Sequence, residues 1–97
     1  MKIVIGLPAY NESKNIESII TQLKSITDLV LVCDDGSTDQ TANIAKNSGA
    51  IVIKHSKNMG YGAAIKSLFT EFMTLDADIL VTFDADGQHR KIGRAHV

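Results

Sequence analysis

The sequence predicts an α/β domain built on a doubly wound, mostly parallel sheet. Three observations carry this expectation. Short apolar runs alternate with segments of helical period in the order strand, helix, strand, helix, strand, helix, strand. The strand runs are continuously apolar rather than alternating, as in a parallel sheet covered on both faces. Each run also empties into polar, mostly glycine-bearing sequence, and in such sheets ligands bind outside the carboxyl ends of the strands.

The elements follow in order. Residues 2–7 are rich in Ile and Val and are expected to stop at Pro8 as a first buried strand. Ile16, Ile19, Ile20 and Leu23 fall on one stripe of a helix. The run LVLVCDD, residues 29–35, is the second strand. GSTDQT ends it and starts a second helix, with Ser37 and Gln40 at capping-box spacing. Asn47, Ser48 and Gly49 mark the end of that helix. Residues 50–55 are the third strand and SKNMGYG is a loop. Ile65, Leu68, Phe69 and Phe72 are expected to line one face of a third helix, and DILVTFDAD, residues 78–86, is the fourth strand.

Composition narrows the classes of function. The chain has 97 residues, enough for one small domain, and is 44% hydrophobic, enough for a core without disulfides. A net charge of −1 argues against a nucleic-acid protein held by phosphate contacts. No cluster of about five basic residues supports docking to a membrane surface. No run reaches the roughly 18 apolar residues of a membrane span. The start, MKIVIGLPAY, is too short and strand-like for a signal peptide. The single cysteine, Cys33, lies in an apolar run and suits a reducing, cytoplasmic setting.

The strand ends carry the chemistry. Asp84 and Asp86 offer hard oxygen ligands suited to Mg2+ or Mn2+ rather than zinc, and Gln88 can add a neutral oxygen. The competing reading is a polar turn after a strand. Of Asp34 and Asp35, one carboxylate can face a bound base or ribose; the alternative is acids favoured near a helix N-terminus, which Asp39 fits. Tyr10 can stack on a base and Glu12 can accept from it, against the alternative of a solvated loop. MGYGAAIK lacks the full glycine fingerprint of a dinucleotide site. Its glycines suit close backbone approach, with helix amides available to a phosphate. His55 and His89 have no partner at ligand spacing and read as ordinary polar residues.

LPAYNE, CDDGSTDQT, NMGYGAAIK and VTFDADGQH occur in this order at the strand ends. Together they resemble the nucleotide-sugar-binding half of family 2 glycosyltransferases, which have the Rossmann-like GT-A fold. The dolichol-phosphate mannosyltransferase-like, or polyprenyl-phosphate glycosyltransferase, group is the nearest in pattern. The resemblance implies that Pro8, Tyr10 and Glu12 cradle base and ribose, and that Asp35 contacts the base. It implies that the D-x-D segment Asp84, Ala85 and Asp86 binds the sugar nucleotide, with Asp84, Asp86 and Gln88 holding a divalent ion against its pyrophosphate. The implied activity is transfer of a sugar, with inversion, from a nucleoside diphosphate to an acceptor, a polyprenyl phosphate in that group, in the cytoplasm or at the cytoplasmic membrane face.

The resemblance covers residues 2 to about 90, and residues 1–90 are expected to be the donor-binding part of a longer domain. No catalytic base is assigned, because the family carries it beyond the D-x-D segment; residues 1–90 alone are expected to be inactive in transfer. The last residues, KIGRAHV, match one reading frame of a common sequencing adapter, so residues 91–97 are expected to be a non-native tail. The fourth strand is then expected to keep an unpaired edge or an uncovered face. Two other readings compete. One is a nucleotide-sugar-binding module without catalysis. The other is a haloacid-dehalogenase-type phosphatase, suggested by FDADG but disfavoured by its place at the fourth strand and by Gln88.

Overall fold

Continuous apolar runs make the strands that the sequence predicts, and one sheet collects them. The structure is a computed structural model, and it describes residues 1–84 and 94–96. Four parallel strands, β1 (Ile3–Ala9), β2 (Leu29–Asp34), β3 (Ile51–Lys54) and β4 (Ile79–Thr82), are joined by a short antiparallel strand, β5 (Arg94–His96). Their order is β3-β2-β1-β4-β5. The helices are α1 (Ile16–Leu23), α2 (Thr41–Asn47) and α3 (Tyr61–Phe72).

Strand alternation divides the core into two layers. Ile5, Leu7, Ala9, Val30 and Val32 face α1 and α2, against Ile16, Ile20, Leu23 and Ala45. Val4, Leu31, Cys33 and Leu80 face α3, against Ala64, Leu68 and Phe72. Burying each of the larger side chains contributes about 1.5–3 kcal/mol. Gly6 sits in the second layer where a Cβ would come within 3.1 Å of Leu80 and 3.4 Å of Leu68. Its missing side chain lets α3 lie close to the sheet.

Four expectations change. β1 does not stop at Pro8 but runs to Ala9, with Pro8 paired to Cys33 and Ala9 to Asp34. Ala9 accepts from the Asp35 amide on the β2 side, so Pro8 turns its nitrogen to the β4 side. There β4 pairs only as far as Gly6, and the missing N–H breaks no rung of the ladder. The Ser37–Gln40 capping box does not form; α2 starts later, at Thr41, with no side-chain cap from Gln40. Phe69 is not buried with Leu68 and Phe72 but is 39% exposed, because Ala64, Leu68 and Phe72 define the inward stripe. The β4 edge is paired, by β5, from Leu80 to Thr82; an open edge is a template for any extended segment within reach.

Candidate functional site

The chain reverses direction across the sheet at β1, which has β2 on one side and β4 on the other. Such a switch point opens a crevice at the carboxyl ends of the strands. Here the crevice is a cleft of about 460 Å³. Pro8, Ala9, Tyr10 and Glu12 line it from the end of β1, Asp35 from β2, and Asp84 from β4. Asn58, Gly60, Tyr61 and Ala64 close it from the start of α3. Pro8, Tyr10, Glu12, Asp35 and Asp84, singled out in the sequence, thus share one cavity. Ala85, Asp86, Gln88 and His89 lie outside the described residues.

The β1–α1 and β2–α2 loops are stapled together. The Asn11 amide donates to Ser37 Oγ at 2.8 Å, and the Thr38 amide donates to Asn11 Oδ1 at 2.9 Å. The Glu12 amide donates to Thr41 Oγ1 at 2.9 Å, and the Ser13 amide to Asp39 Oδ2 at 3.3 Å. Asn11 takes a left-handed backbone, φ 52°, between Tyr10 and Glu12, a conformation Asn tolerates better than most residues. Ser37 is therefore engaged by Asn11 rather than capping a helix. Asp39 instead accepts from the Thr41 amide at 2.9 Å and from the Thr41 hydroxyl. The Thr41 hydroxyl, followed by the Thr41 and Ser13 amides, holds the Asp39 carboxyl below its ordinary range against the opposing effect of burial. Asp39 thus serves the start of α2, as expected.

Asp35 is the most connected side chain at the cleft. Its Oδ1 lies 2.7 Å from His55 Nδ1 and accepts from the Met59 amide at 2.8 Å. Its Oδ2 accepts from the Gly60 amide at 2.9 Å. Burial opposes its charge, but the His55 hydrogen bond and the Met59 and Gly60 amides outweigh it and hold the carboxyl below the ordinary value. The Met59 and Gly60 amides, which precede the first turn of α3, are thus committed to Asp35. Asn58 Nδ2 donates to the Asp35 carbonyl at 3.2 Å. Gly36, φ 76°, lies directly under this loop: a Cβ there would stand 2.2 Å from the Lys57 carbonyl carbon.

His55 is not the ordinary polar residue expected from its isolated place in the sequence. Its Nε2 lies 2.7 Å from Ser67 Oγ and 3.5 Å from Cys33 Sγ. The chain Ser67–His55–Asp35 has the connectivity of a nucleophile, base and orienting acid. Ser67 is not among the cleft-lining residues, however. Cys33 is fully buried, and burial followed by the charges of Asp35 and Asp34 pushes its thiol up to about 11. Neither group is an activated nucleophile; the network orders Asp35. The signal available in the sequence was position: His55 directly follows β3, as Asp35 directly follows the neighbouring β2, and the His55 amide donates to the Asp34 carbonyl at 2.8 Å.

On the other wall, the Tyr61 hydroxyl donates to Asp84 Oδ1 at 3.4 Å. Burial, then the Asp84 charge, raises the Tyr61 phenol. Asp84 is a hard oxygen donor at the cleft, of the kind Mg2+ or Mn2+ takes. Among the described residues no group of three His, Cys, Asp or Glu side chains converges as a metal site. No helix among them is long and apolar enough to cross a membrane.

Comparison with known proteins finds likeness in both sequence and fold. The model of a family described as glycosyl transferase family 2 matches residues 4–92. The UDP-N-acetylglucosamine–dolichyl-phosphate N-acetylglucosaminyltransferase of Methanococcus voltae is 38% identical over 105 residues, covering 90% of this chain and 42% of its own length. The dolichyl-phosphate hexose transferase of Haloferax volcanii is 36% identical over 88 residues, covering 89% of this chain and 36% of its own. A crystal structure of glucosyl-3-phosphoglycerate synthase from Mycobacterium tuberculosis, in complex with Mn2+, uridine diphosphate and glucosyl-3-phosphoglycerate, superposes with a TM-score of 0.72 at 33% identity. It covers 88% of this chain, which spans 33% of that one.

Proposed function

Because the chain belongs to glycosyl transferase family 2, we propose that its cleft receives the nucleoside diphosphate of a sugar donor together with Mg2+ or Mn2+. The observation that carries this reading is the convergence of Tyr10, Asp35 and Asp84 on one cleft at the switch point of the sheet. Tyr10, 45% exposed, offers a ring face for stacking. Asp35 offers a fixed carboxylate acceptor to a base. Asp84 offers a hard oxygen at the opposite wall, and Asp86 and Gln88 of the same segment would complete the donor set. A divalent ion held there supplies charge neutralisation to the departing diphosphate. Residues 1–90 act as the donor-binding part, and the whole protein transfers the sugar with inversion to an acceptor. A polyprenyl phosphate is the acceptor class suggested by the dolichyl-phosphate enzymes among the relatives. The buried free thiol of Cys33 supports a cytoplasmic setting.

Calorimetric titration of the chain with UDP and GDP, each with and without Mn2+, tests this. Binding of at least one nucleotide, strengthened by the metal, is the expected result. Absence of nucleotide binding, or binding indifferent to metal, would overturn the reading.

A further inference from the structure

Behind the cleft, His55 is partly buried and used by no step of the proposed donor binding. A carboxylate has about four acceptor sites. On Asp35 Oδ1, two are occupied, by His55 Nδ1 and the Met59 amide. On Oδ2 one is occupied, by the Gly60 amide. One lone pair remains, on an oxygen of a residue that lines the cleft. The His55 and Asp35 side chains are only 9% and 6% exposed, so water competes little for these bonds. An ionised carboxylate only accepts, so His55 Nδ1 carries a proton whatever the charge of the ring. Nε2 is anchored in turn by Ser67 on α3. The ring is thus held from β2 and α3 at once.

We propose that His55 is a positioning residue for nucleobase selection: it fixes Asp35 as a pure acceptor with one free lone pair, which selects a base edge offering a ring N–H. The inference rests on the donor reading above. A uracil-type imide meets that requirement, whereas the corresponding ring position of cytosine is itself an acceptor and faces the carboxylate lone pair to lone pair. A protonated or rotated Asp35 would lose the distinction. Of the other titratable groups, Glu12, Tyr61 and Asp84 line the same cleft as Asp35, and Cys33 and Asp34 of β2 lie on the inner side of the pair. The thiol of Cys33 is neutral, and Asp34 accepts from the Ser37 amide at 3.2 Å; neither supplies the donor that His55 supplies.

The test compares the wild-type chain with His55→Asn, which keeps a donor near Nδ1, and His55→Leu, which fills the space without one. UDP and CDP are titrated calorimetrically with Mn2+, and the Asp35 carboxyl is titrated by carbon NMR. In His55→Leu, UDP binding is expected to weaken about tenfold, the size of a lost bond to a charged group. The preference for UDP over CDP is expected to shrink, and the Asp35 titration to move upward. His55→Asn is expected to stay within about threefold of wild type. Should His55→Leu fail to fold, Ser67→Ala, which removes only the rear anchor, is expected to reduce the same preference about threefold. Unchanged UDP preference in both His55→Leu and Ser67→Ala, or a loss in folded His55→Asn as large as in His55→Leu, would overturn the inference. A wild-type chain that binds no UDP would instead overturn the donor reading and base selection with it, leaving the carboxyl titration to decide whether His55 sets the state of Asp35.

Discussion

The amide of Asn11 and the hydroxyl of Ser37 are 26 residues apart in sequence and 2.8 Å apart in space. Their bond joins the two loops that carry Tyr10 and Asp35. Asn11 adds a second link through its side chain to Thr38 and holds φ at 52°. Asn11→Ala is expected to lower stability by about 1–3 kcal/mol, through lost hydrogen bonds and a left-handed alanine. Asn11→Gly loses the same bonds but relieves the backbone, so its thermal midpoint should fall less. Equal midpoints for the two variants would show that the backbone conformation at residue 11 carries no cost.

Gly36 tests the packing of the loops from beneath. An added Cβ meets the Lys57 and Asn58 backbone at 2.2 and 2.3 Å, and φ is 76°. Backbone cannot rotate away as a side chain tip does. Gly36→Ala is expected to cost about 3 kcal/mol, measured by urea unfolding. A loss below 1 kcal/mol, on the order of ordinary surface substitutions, would contradict the close approach.

Asp35 makes stability depend on acid. Its native carboxyl is held below the ordinary value of 3.8, so the unfolded chain binds the proton more readily. The stabilisation is complete above that value and is lost as pH falls from it toward the depressed native value. Asp35→Asn should remove this part of the acid limb from a plot of unfolding free energy against pH. It should leave the curve above about pH 6 parallel to wild type. An unaltered acid limb in the variant would assign it to other carboxylates.

The two walls of the cleft should separate in binding. Asp84→Ala and Asp86→Ala are expected to reduce the metal-dependent part of nucleotide affinity about tenfold or more, with the circular dichroism spectrum unchanged. Tyr10→Ala is expected to weaken the nucleoside itself, metal present or absent. Uridine binding that Tyr10→Ala leaves intact would move the base away from β1.

In α3, Leu68 is fully buried and Phe69 is 39% exposed. Leu68→Ala should cost about 2–5 kcal/mol, and Phe69→Ala much less. Comparable losses in chemical denaturation would mean that the inward stripe of α3 is drawn one residue out of place.

Much of the scaffold was legible because its signals are local. The Ile16–Leu23 stripe and the unbroken apolar runs of β1 and β2 leave few other ways to be buried, and the polar strand ends marked the edge that carries the cleft. What the sequence concealed was decided by contacts between segments far apart. Ser37 stands at capping spacing from Gln40, but Asn11 claims its hydroxyl. Nothing local to Met59 and Gly60 shows that their amides go to Asp35. Phe69 fits a helical stripe as well as Leu68 does, and only the position of the sheet chooses between them. His55 has no partner within its own loop; its partners come from β2 and α3.

Pro8 has a consequence for the shape of the crevice. The last bond between β1 and β4 runs from the Phe83 amide to the Gly6 carbonyl. In a parallel ladder the next rung would run from residue 8 of β1 back to the Phe83 carbonyl, and a proline has no hydrogen to give. The two strands therefore stop zipping at that point. The backbone is released just before Asp84, and the mouth between β1 and β4 is kept from closing by a bond that residue 8 is chemically unable to make.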